Sequence, residues 1–98
     1  MSLGRPSDLQ DATDEVKALA KEMKAETEKK LGATFGEFEA VAFKKQVVAG
    51  TNYFIKVKVG GDKYVHLKVW VKLPCNGGAK ELTDAKGGLS LADKVEFD

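Results

Sequence analysis

The stretch TNYFIKVKVGGDKYVHLKVWVKL, running from Thr51 to Leu73, decides the fold. Between Thr51 and Val59 the odd positions Tyr53, Ile55, Val57 and Val59 are apolar. Asn52, Lys56 and Lys58 between them are polar, with Phe54 the exception on that side. Between Asp62 and Leu73 the alternation resumes: Val65, Leu67, Val69, Val71 and Leu73 form an apolar row, and Tyr64, His66, Lys68, Trp70 and Lys72 form the other. Successive side chains of a strand point to opposite faces, so this period of two predicts two strands that each bury one face. Gly60-Gly61 followed by Asp62 predicts a tight hairpin between them, because such turns need positive φ.

Upstream of that hairpin, residues 37–45 also alternate, with Phe38, Ala40 and Ala42 against Val41 and Phe43. Further back the period becomes helical. Val16, Leu19, Ala20, Met23, Thr27 and Leu31 recur at spacings of three and four, which predicts one long helix over residues 13–31. Thr13 is a natural N-cap, Asp14 and Glu15 suit the positive end of the helix dipole, Lys29 and Lys30 the negative end, and Gly32 suits the stop. Residues 1–12, with Gly4 and Pro6, read as an extended arm. Beyond Leu73 the pairs Gly77-Gly78 and Gly87-Gly88 read as turns. Leu82-Thr83 is the strand-like part there, and Val95-Glu96-Phe97 reads as a short closing strand. With no internal repeat and no linker, residues 1–98 are expected to form one domain. The expected class is α+β: a four- to five-stranded antiparallel sheet wrapped around one long N-terminal helix.

Composition narrows the function classes. Sixteen basic residues against fifteen acidic leave a net charge of +1, so there is no concentrated field for a nucleic acid or an anionic membrane. The outer-row aromatics Phe54, Tyr64 and Trp70 among Lys56, Lys58, Lys68 and Lys72 could stack bases, but that balance of charge argues against it. Cys75 is the one cysteine, which excludes an internal disulfide. The opening Met1-Ser2-Leu3-Gly4-Arg5-Pro6 lacks a signal peptide's apolar run and no stretch could span a bilayer, so a cytoplasmic location is expected.

Catalytic residues do not converge. His66, the one histidine, falls mid-strand on the more polar row and reads as a surface or rim residue. A Cys75–His66 dyad would lack an orienting Asn or Asp, and a zinc site would have to lean on carboxylates. The glycine pairs lack the trailing helix and Lys-Ser/Thr of a phosphate loop. We expect no enzymatic activity, no metal and no cofactor.

The informative irregularity is Gln46-Val47-Val48-Ala49-Gly50. Adjacent valines point to opposite faces of a strand, so one faces water unless something covers it. Two readings fit: a continuous strand with a β-bulge at Gly50, or a hairpin tip offering small apolar residues to a partner.

Continued by Thr51-Asn52-Tyr53-Phe54-Ile55-Lys56-Val57, this segment resembles the signature of the cystatin superfamily, and the short domain without disulfides resembles its stefin (type 1) branch. Gly4 near the N-terminus, the helix opening at Thr13, Val65-His66-Leu67 and Leu73-Pro74 match as well. The match is close over residues 35–74, fair over 1–34 and weak from 75 onward, where glycines replace strand formers.

The resemblance implies a cystatin fold and a reversible, tight-binding competitive inhibitor of papain-like cysteine proteases such as papain and cathepsins B, H, L and S. The arm around Gly4, the loop Gln46, Val47, Val48, Ala49, Gly50 and the loop Leu73-Pro74 would form a wedge in the protease cleft. The arm would lie in the unprimed subsites, making Leu3 and Arg5 candidate subsite contacts, and the two loops would lie over the primed side. Gly4 would let the arm pass close to the cleft wall, and Pro74 would stiffen the second loop before binding. The resemblance also implies a monomer, with a domain-swapped dimer as a second state if the loop at Val48 opens. A cystatin-fold binding module with retargeted loops is the alternative. Two positions depart from the family pattern. Cys75, at the rim of the expected surface, reads as an inert thiol, with redox sensitivity the other reading. Trp70 lies within a strand, is not the second-loop tryptophan of other cystatins, and is expected to pack on the sheet's outer surface.

Overall fold

The structure, a computed structural model, describes residues 8–73 and 79–97, the side chain of Val48 excepted. Strand β1 (Gln10–Asp11) is followed by helices α1 (Asp14–Glu22) and α2 (Lys24–Leu31). Strands β2 (Glu39–Val48), β3 (Gly50–Gly60), β4 (Lys63–Val71) and β5 (Lys80–Leu89) complete the order. All five strands form one antiparallel sheet in sequence order. The expected α+β class and helix-wrapping sheet are therefore observed.

The helix begins where its cap requires, with the Thr13 hydroxyl accepting from the Val16 N–H at 3.2 Å. It ends at Gly32, whose φ of +66° is left-handed. In between, the expected single helix is interrupted at Met23. The Thr27 hydroxyl donates to the Met23 carbonyl at 2.7 Å, alongside the Thr27 N–H at 2.9 Å. Such back-bonding lets a buried threonine satisfy itself, and it tends to bend a helix. The expected face is the observed one: Val16, Leu19, Ala20, Met23 and Thr27 are buried, and Leu31 packs at the edge.

That face meets one side of the sheet. Ala40, Phe43, Ile55, Val57, Val65, Leu67 and Val69 line it, and Ile55, Val57, Leu67 and Val69 have no exposed surface at all. The β3–β4 pairing runs Ile55↔Leu67 and Val57↔Val65, so the two apolar rows read from the sequence stand side by side.

Three expectations about the strands need correction. In β2 the register shifts between Ala40 and Ala42, so Phe43 rather than Ala42 joins Ala40 on the core side. A bulge inserts one residue and reverses the parity of everything after it. In β5, Gly87-Gly88 is no turn: the register passes from Leu89↔Tyr64 to Lys86↔His66 across it, so the pair sits in a bulge inside a ten-residue strand. Pairing with β4 overrides the low strand propensity of these residues. Val95–Phe97 forms no strand. The chain from Ser90 instead crosses the outer side of the sheet, where the Phe97 ring lies 6.0 Å from that of Phe54.

This crossing explains Phe54 and overturns the reading of His66 as a surface residue. Lys56 and His66, paired across β3 and β4, are 4% and 1% exposed. The Lys56 ammonium donates to the carbonyls of Leu91 and Asp93, and Lys86 Nζ donates to that of Glu96 at 3.0 Å. Burial first, and then the Lys56 charge, push the His66 imidazole down to about 4. Its Nε2 has no hydrogen-bond partner among the described residues.

Candidate functional site

The β2–β3 hairpin projects from one end of the sheet. Its strands pair as Gln46↔Asn52, Val47↔Thr51 and Val48↔Gly50, leaving Ala49 at the tip. Of the two readings left open by the sequence, the hairpin tip is the observed one. Gly50 has φ +111°, and a Cβ there would stand 2.5 Å from the Val71 carbonyl oxygen and 2.9 Å from Trp70 Nε1. Both the backbone and the space demand glycine.

The tip presents apolar surface. Val47, near the end of β2, is 58% exposed and Ala49 after it is exposed, although Phe43 in the same strand is buried. Gln46 is half-buried, and its Oε1 accepts from Asn52 Nδ2 at 3.3 Å, so this glutamine braces the base of the hairpin. The pairing Thr51↔Val71 places the end of β4 beside the start of β3, and the same register continued sets Leu73 level with Ala49. Leu73 is 40% exposed. Two of the four large exposed hydrophobics among the described residues, Val47 and Leu73, thus share one end of the sheet, which single scattered residues would not.

The structure brings Gln46, Val47, Ala49, Gly50 and Leu73 together. Leu3, Gly4, Arg5, Pro74 and Cys75 lie outside the described residues, as does the Val48 side chain. β1 pairs antiparallel with β2 through Gln10↔Phe43 and Asp11↔Ala42, so Asp8 and Leu9 precede it on the side nearer Val47.

Two supporting residues escaped the sequence reading. Trp70 pairs with Asn52, which pairs with Gln46, so the three form a row on the outer side of the sheet. Trp70 Nε1 donates to the Ala49 carbonyl at 3.2 Å, and Lys72 Nζ lies 5.4 Å from the centroid of its ring. Trp70 therefore braces the hairpin tip in addition to covering the outer surface. The sequence signal was available in the alternation itself, which puts positions 52 and 70 on the same side, but only the register makes them neighbours. No group of three or more His, Cys, Asp or Glu among the described residues could hold a metal ion.

The cystatin-domain family profile matches residues 4–88. The chain belongs to the cystatin family. Among cystatin relatives it is 47% identical over 97 residues to cystatin-B of Paralichthys olivaceus and 50% identical over 97 residues to cystatin-B of Homo sapiens, covering 99% of both chains each time. It is 40% identical over 92 residues to cystatin-A of Felis catus, covering 94% of each chain. The stefin resemblance read from the motifs thus extends through the glycine-rich last third, where the motifs themselves were thin. No helix among the described residues is long and apolar enough to cross a membrane.

Proposed function

We propose that this chain is a reversible, tight-binding competitive inhibitor of papain-like cysteine proteases, working inside the cell as a single-domain monomer. The wedge consists of the arm around Gly4, the tip Val47-Val48-Ala49 on its Gly50 hinge, and Leu73-Pro74. The observation that carries this reading is the pairing of an exposed apolar tip with Leu73 at one end of the sheet, in a chain of the cystatin family.

The physics of such a plug suits these residues. Each exposed apolar side chain that passes from water into a cleft contributes on the order of 1 kcal/mol, and Val and Ala lose little rotamer freedom. Antiparallel pairing up to Val48↔Gly50 means that the tip is ordered before contact, which lowers the entropic cost of docking. No nucleophile is needed. Inhibition without cleavage follows if the tip covers the catalytic cysteine and offers no peptide bond at attack distance and angle.

The test is titration of papain and cathepsin L with the parental chain and with Val47→Asp and Gly4→Arg. The parental chain should inhibit below micromolar concentration, and Val47→Asp should weaken inhibition at least tenfold, because a carboxylate would be buried unpaired. Absence of inhibition by the parental chain would leave a cystatin-fold module with other partners. Equal inhibition by all three would keep the activity and remove the wedge.

A further inference from the structure

Gly50 and Trp70 are complementary in a way that a turn alone does not require. A Cβ on residue 50 would crowd the indole nitrogen at 2.9 Å, next after the Val71 carbonyl oxygen, and with glycine there the indole N–H donates to the neighbouring Ala49 carbonyl at 3.2 Å. A carbonyl at the tip of an exposed hairpin otherwise bonds to water, and its peptide plane is free to rotate. Here that plane is tied to β4, the strand that pairs with β3 of the hairpin. Nothing in turn chemistry calls for a tryptophan there, since a phenylalanine would cover the same surface but has no N–H to give.

The same ring neighbours a residue at the start of the connection from β4 to β5. Lys72 Nζ sits over it at 5.4 Å, while the Lys72 backbone N–H donates to the Ala79 carbonyl at 2.8 Å, closing the base of the connection from β4 to β5. On the opposite side, Asn52, which faces Trp70 across the strands, holds Gln46. A single side chain thus touches the tip of the first hairpin and a residue that anchors the second connection.

We propose that Trp70 is a positioning residue: it fixes the Ala49–Gly50 peptide and sets the first hairpin tip relative to Leu73, so that a partner meets both loops already in register. This deepens the reading of Gln46–Gly50 as the contact loop and rests on it for its consequence in binding, though not for its consequence in the free protein. Preorganisation of this kind acts mainly on the lifetime of a complex, because a loosely held tip must be ordered again each time contacts form.

The experiment compares the parental chain with Trp70→Phe, which keeps a ring and loses the N–H, and with Lys72→Met. Three quantities are read: backbone ¹⁵N relaxation at Ala49 and Gly50 in the free protein, the melting temperature, and the rate of dissociation from papain. Trp70→Phe should raise the mobility of Ala49 and Gly50 while leaving Ile55 and Leu67 in the core unchanged. Dissociation should quicken roughly fivefold, the change expected for one neutral hydrogen bond, with association within about twofold. Lys72→Met should act in the same direction by a smaller factor.

Unchanged relaxation at Ala49 and Gly50 in Trp70→Phe overturns the proposal. So does a loosening of the whole sheet, which would make Trp70 a packing residue only, and so does selective loosening of the tip with an unchanged dissociation rate. If the parental chain fails to bind papain, the relaxation data decide alone: a selectively loosened tip keeps the positioning role and discards the protease. Trp70 is the one tryptophan of the sequence, so its emission offers a direct signal for whatever does occupy the tip.

Discussion

The two faces of this sheet solve the same problem by different means. The inner face buries Ile55, Val57, Leu67 and Val69 against α1 and α2, and its stability comes from filled apolar volume. The outer face buries Phe54, Lys56 and His66, with the chain from Ser90 to Phe97 crossing over it. There a buried ammonium is matched to two carbonyls, and an imidazole nitrogen has no partner among the described residues. The first arrangement is indifferent to pH. The second depends on which protons are bound, and on a short C-terminal segment staying in place.

The largest expected effect lies on the inner face. Leu67→Ala should cost about 2–5 kcal/mol, by lost transfer energy and by the cavity left behind, with the same loss at pH 7 and pH 5. Urea unfolding at both values checks it. A loss below about 1 kcal/mol would mean that the helix relaxes onto the sheet, and the contrast in packing would fail.

Acid should find the outer face next. His66 titrates at about 4 in the fold against an ordinary 6.5, so the unfolded chain takes up the proton first as the pH falls. Its stabilising contribution is intact above about pH 6.5 and is lost between there and pH 4. Linkage sets the loss at up to about 3 kcal/mol. Lys56, Lys86 and Lys44 all oppose the protonated form, and Asp93 favours it. His66→Gln, which cannot titrate, should flatten the stability–pH curve across that window. Parallel curves for the two proteins would mean that water reaches the imidazole.

The smallest effect concerns the segment itself. Phe97→Ala removes the ring that meets Phe54 and carries the Lys86 ammonium 5.0 Å above it. It should cost about 1–2 kcal/mol and speed amide exchange in residues 90–96 ahead of the sheet. Exchange that stays coupled to global unfolding would show that the outer cover is as cooperative as the core.

The two strands of the hairpin from Thr51 to Leu73 and their inner rows were legible because the apolar residues recur with a period of two and the turn between them carries glycine where positive φ is needed. The burial of Phe54, Lys56 and His66 on the other face was not. The helix was legible from its cap, its stop and its apolar spacing; its interruption was not, because it depends on where one threonine hydroxyl points. Of strand β5 only Leu82-Thr83 was legible, because its other residues have little strand propensity and are held by what they pair with. In the loop at Gln46–Gly50 the sequence showed apolar residues that nothing local could cover, and the family motif gave them a meaning.

Local rules thus determined which residues alternate, which face of the helix is apolar and which segments carry the family's marks, since these follow from periods of two and 3.6 along one chain. Register and the path of the C-terminus decided the rest. Bulges reset the parity of β2 and β5, pairing set Trp70 beside Asn52 and behind the tip, and the returning chain turned a polar row containing His66 into a second buried layer. These are contacts between residues far apart in sequence. Their free energy depends on neighbours that no local pattern specifies.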